Sequence, residues 1–79
     1  MMHQPVVVTE YLIIRDTDSR MWYLSDIDQK VGVAANKWTG NKRRALTCKT
    51  GEEAELIIKG YSIRDADVIE WIHNETIVD

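Results

Sequence analysis

Asp16-Thr17-Asp18 opens like a calcium loop. Arg20 then stands where the fifth-position oxygen ligand belongs, Met21 replaces the turn glycine and Ile27 replaces the bidentate glutamate, so an EF-hand is excluded. Asp26-Ile27-Asp28 and Asp65-Ala66-Asp67 are carboxylate pairs of a kind common in turns. His3 and His73 lie far apart in sequence with no cysteine beside either, which argues against zinc. No metal and no cofactor is expected. Cys48 lacks a neighbouring histidine and fits a small buried hydrophobe. Ser19, Ser25 and Ser62 have no nucleophile-elbow context, and no glycine-rich phosphate loop exists. The chain therefore reads as non-catalytic.

Charge is distributed with more purpose. From Lys30 through Lys49 there are six basic residues and no acidic one, although the 79-residue chain carries a net charge of −3. Lys37, Trp38, Lys42, Arg43 and Arg44 combine phosphate-pairing cations with an aromatic face that could stack on a base, the pattern of a nucleic-acid-binding accessory protein. Against this, Glu52, Glu53 and Glu55, with Asp65 and Asp67 further on, offer an acidic surface for a basic groove on a partner protein. The acidic majority makes protein binding the leading reading and nucleic acid the alternative.

The elements that must carry these groups follow from periodicity. Val6 to Ile14 is β-branched and apolar on both alternating faces, as in a central strand. The polar cluster Asp16–Arg20 and the run Met21–Ser25 complete a hairpin, with a loop expected to exceed two residues. Residues 26–36 show no clean period and read as a loop, with a short strand near Val33–Trp38. Lys42–Ala45 suits a helical turn, and Leu46–Lys49 alternates as a short strand. Thr50 and Glu53 form a capping box before a helix whose Ala54, Ile57, Ile58 and Tyr61 make one apolar stripe, and Gly60 is expected as its left-handed stop. Asp67–His73 reads either as a strand or as a second helix capped by Asp65, with residue types favouring the strand. Residues 76–78 either pair or fray.

The expected architecture is α+β: one domain over 1–79, an antiparallel sheet of three to four strands, and one helix packed on one face. A chain this short buries only about 60–65% of its unfolded surface, so self-association would add stability and a second copy is a further candidate partner. One cysteine and no signal-like or membrane-length apolar run point to a soluble cytoplasmic protein.

Tyr11-Leu12-Ile13, Trp22-Tyr23-Leu24, Trp38-Thr39, Arg44-Ala45-Leu46 and Thr50 to Glu55, in that order, resemble small phage-encoded or prophage-encoded proteins over residues 10–60. Cys48 departs from the aromatic such proteins often carry there, so packing beneath the helix is expected to differ. The resemblance implies a protein that binds and inhibits a host factor, such as a CRISPR nuclease or another defence protein, in the host cytoplasm.

Overall fold

The computed structural model describes the backbone over 3–30 and 33–78, with side chains described over 5–27 and 36–75. Strands β1 (His3–Thr17), β2 (Arg20–Lys30), β3 (Val33–Thr39) and β4 (Asp67–Val78) form one antiparallel sheet in the order β3-β2-β1-β4. A 3₁₀ turn (Lys42–Arg44) and helix α1 (Gly51–Gly60) lie between β3 and β4. The α+β reading holds, and β1 is central as its two apolar faces require.

Several local expectations need correction. The hairpin turn is only Asp18-Ser19, because Thr17 pairs with Arg20 and the Thr17 hydroxyl donates to the Arg20 carbonyl at 2.8 Å. Neither turn residue has positive φ, so the turn is not one of the primed types that match strand twist. Pairing of β1 with β2 covers four residue pairs, Ile14–Thr17 with Arg20–Tyr23, and then the strands part. Residues 26–30, expected in a loop, instead continue β2 against β3. Their missing period has a physical source in a bulge between Leu24 and Asp26, which shifts the alternation by one residue. At its other end β4 runs unbroken, ruling out a second helix, and residues 76–78 pair with 3–5.

The opening left by the parting strands is filled by residues 46–48. Leu46 donates its amide to the Leu24 carbonyl at 2.8 Å, and Cys48 exchanges two 2.8 Å backbone bonds with Tyr11. The expected strand over 46–49 is thus a single bridge, inserted between β1 and β2. Alternation along this segment sends Cys48 into the core with Ile13, Leu24, Ala54 and Ile63. Fully burying Ile13 and Leu24 contributes about 1.5–3 kcal/mol each.

Helix α1 begins as its sequence dictates and ends differently. The Thr50 hydroxyl accepts the Glu53 amide at 3.1 Å, while the Glu53 carboxylate reaches the amide of Lys49, one residue earlier than a capping box requires. Ala54 is buried, whereas Ile57, Ile58 and Tyr61 are half-buried against the core. Gly60 belongs to the helix, and the left-handed residue is Ser62, with φ 51°. The Ile63 amide then returns to the Ile58 carbonyl at 3.0 Å, closing the end. Since a Cβ at Gly60 would meet nothing within 4 Å, Gly60→Ala should stabilise the protein by about 0.5–1 kcal/mol in urea unfolding. A left-handed glycine would give the opposite sign, and destabilisation would refute this helix end.

Candidate functional site

Pleating divides the sheet into two chemically distinct faces. Tyr11, Ile13 and Val68 point to the side that carries α1, with Gly51 approaching the Tyr11 ring and Ile13 in the core with Ala54. Glu10, Leu12, Ile69, Trp71 and His73 point to the other side.

On that second side, side chains distant in sequence converge. His73 Nε2 lies 2.7 Å from Glu10 Oε1, and the His73 ring stacks on Trp71 with centroids 3.9 Å apart. The Lys42 ammonium lies 5.3 Å from the Trp71 ring centroid, which places the basic turn across this face. Thr47, whose neighbour Cys48 points into the core, hydrogen-bonds the Glu10 carboxylate. That bond first, and His73 second, hold the Glu10 carboxyl below its usual value of 4.5 against the opposing effect of burial. Ligand atoms of Glu10, His73 and Glu75 lie within 4.8 Å of one another, a set that could hold a divalent ion. The Glu10 to His73 hydrogen bond already accounts for their approach.

The sequence-predicted basic set is only partly assembled. Arg43 and Arg44 are exposed on the 3₁₀ turn, and Asn41 caps that turn by accepting the Arg43 amide at 3.0 Å. Lys37 is exposed on β3. Trp38, however, is half-buried against the core with the Arg15 guanidinium 4.4 Å from its ring centroid, on the helix side of the sheet. Trp71 is covered by His73 and Lys42. The cations therefore lack the open aromatic platform that base stacking requires.

The acidic set divides likewise. Glu52 and Glu55 line an open groove of about 470 Å³ with Gly51, Leu56, Lys59 and Val68. Glu53 is occupied in capping. Asp65 is exposed in the turn before β4 with φ 54°, and Asp67 begins β4 opposite Ile14, on the other face from Val68. Leu56 is the feature that the stripe analysis passed over. It falls off the Ala54, Ile57, Ile58 and Tyr61 stripe and is 69% exposed, which its spacing alone could have revealed. The Glu10 to His73 pair had no sequence signal, because it depends on the β1–β4 register across a separation of 63 residues.

Cys48 is 2% exposed, and burial together with the nearby Glu53 charge pushes its thiol up, which keeps it protonated and inert. Glu10 has a lowered folded-state pKa, so its stabilisation is complete above the unfolded value of 4.5 and is lost as pH falls through the lower folded value. Glu10→Gln should therefore flatten the acid side of a stability-against-pH curve from thermal unfolding. An unchanged acid limb would show that this carboxylate has no such linkage. No protein-family model matches the chain, and no curated protein and no solved structure is significantly similar to it.

Proposed function

We propose that this protein is a non-catalytic binding module that takes a protein partner along the groove between α1 and β4, and that the partner is a host protein, as the resemblance to small phage-encoded proteins implies. The observation that carries the reading is Leu56, 69% exposed on a helix whose other side is committed to the core. Glu52 and Glu55 line the same groove. An apolar side chain between carboxylates suits a segment that presents an apolar anchor flanked by lysine or arginine. The covered state of Trp38 and Trp71 weighs against base stacking as the main mode of contact.

Affinity capture from host lysate, with and without nuclease treatment, tests the reading, using the intact protein, the double variant Glu52→Lys/Leu56→Ser and the control Lys42→Glu/Arg43→Glu. One dominant protein should be recovered by the intact chain and the control, and reduced at least about tenfold by the groove variant, which corresponds to about 1.4 kcal/mol. Capture that survives the groove variant refutes the site. Capture that disappears with nuclease or with the control favours nucleic acid.

A further inference from the structure

The two outer strands of the sheet differ in how they are protected. β3 spans seven residues, carries Lys37 and lies beside the bulge in β2, all features that discourage edge pairing. β4 spans twelve residues in unbroken register with β1 and contains no proline, lysine or arginine. Such an edge is a template for another strand.

Its free hydrogen-bonding groups can be assigned. Tyr11 uses both backbone groups on Cys48, on the side of β1 away from β4. Tyr11 and Glu70 are therefore a non-hydrogen-bonded pair, and the backbone groups of Glu70 point outward from the sheet. By alternation, those of Val68, Ile72 and Asn74 do the same. Side chains of these residues lie on the helix side, where Ile72 is 61% exposed and Val7, diagonal to it across β1 and β4, is 67% exposed.

We infer that β4 pairs antiparallel with β4 of a second copy, about a two-fold axis at Ile72, to give a continuous eight-stranded sheet. Ile72 of each copy then meets its counterpart in a hydrogen-bonded pair, Glu70 faces Asn74, Trp71 faces His73 and Ile69 faces Glu75. No like charges stand opposite. An axis at Glu70 would set that carboxylate against itself, and one at Trp71 would set Asp67 against Glu75. The axis at Ile72 also places the most exposed apolar side chain among the described residues of β4 at the centre, where association removes it from water. Because the axis is perpendicular to the sheet, both α1 helices lie on one face and the two grooves open in the same direction. This pairing does not depend on the identity of any other partner.

Sedimentation equilibrium over a range of concentrations tests it. The intact chain should approach twice its 9.2 kDa mass, and Ile72→Lys should raise the dissociation constant at least about tenfold. Ile72→Pro removes an outward amide and leaves the β1–β4 ladder intact, so it should give a monomer with an unchanged far-ultraviolet circular dichroism spectrum. Ile72→Cys should form an intermolecular disulfide on mild oxidation faster than Glu70→Cys, because paired Cα atoms are about 5.5 Å apart only at the axis. A monomeric mass at all concentrations, a dimer unaffected by Ile72→Lys or Ile72→Pro, or equal cross-linking by the two cysteine variants would overturn the pairing.

Discussion

Two backbone hydrogen bonds between Tyr11 and Cys48, each 2.8 Å, are the constraint on which the rest of the molecule depends. They hold residues 46–48 in the opening where β1 and β2 separate, supplying partners to backbone groups that would otherwise be stranded at the centre of the sheet. From that position alternation does the rest. Cys48 enters the core, Thr47 reaches Glu10 on the other face, and Thr50 begins the helix above Tyr11. A small buried side chain suits Cys48, since Ala54 of the helix and Ile13 of β1 close over it.

The same insertion keeps the two charged regions apart. The basic turn over 42–44 lies on the Trp71 face before residues 46–48, and the acidic start of α1 lies on the Ile13 face after them. The basic turn and the acidic start of the helix thus lie on opposite faces of one sheet, while Glu10, Asp67 and Glu75 share the face of the basic turn. Each face then offers different chemistry: Lys42 over Trp71 beside the Glu10 to His73 pair on one, an apolar groove lined by Glu52, Glu55 and Lys59 on the other.

Legibility in the sequence followed the range of the interactions involved. Thr50 and the apolar stripe of α1 could be read because capping and helical spacing act within a few residues. β1 could be read as central from its composition. Residues 26–30 could not, because the bulge at Ser25 broke the alternation that marks a strand. The helix end misled for a related reason: Gly60 has the expected residue type, yet the returning bond from Ile63 places the left-handed turn at Ser62. Of the candidate site residues, Glu52 and Glu55 were legible as charges, and Arg43 and Arg44 likewise. Leu56 was present in the pattern but unread, and the approach of Glu10 to His73 was set only when β1 and β4 paired.

Amide hydrogen exchange at Tyr11 and Cys48, followed by nuclear magnetic resonance, tests the inserted segment directly. Both amides are bonded at the centre of the sheet, so they should exchange with the slow class that includes Leu12. Exchange at either position as fast as at Asp18 and Ser19 in the hairpin turn would contradict it, and with it the division of the protein into two faces.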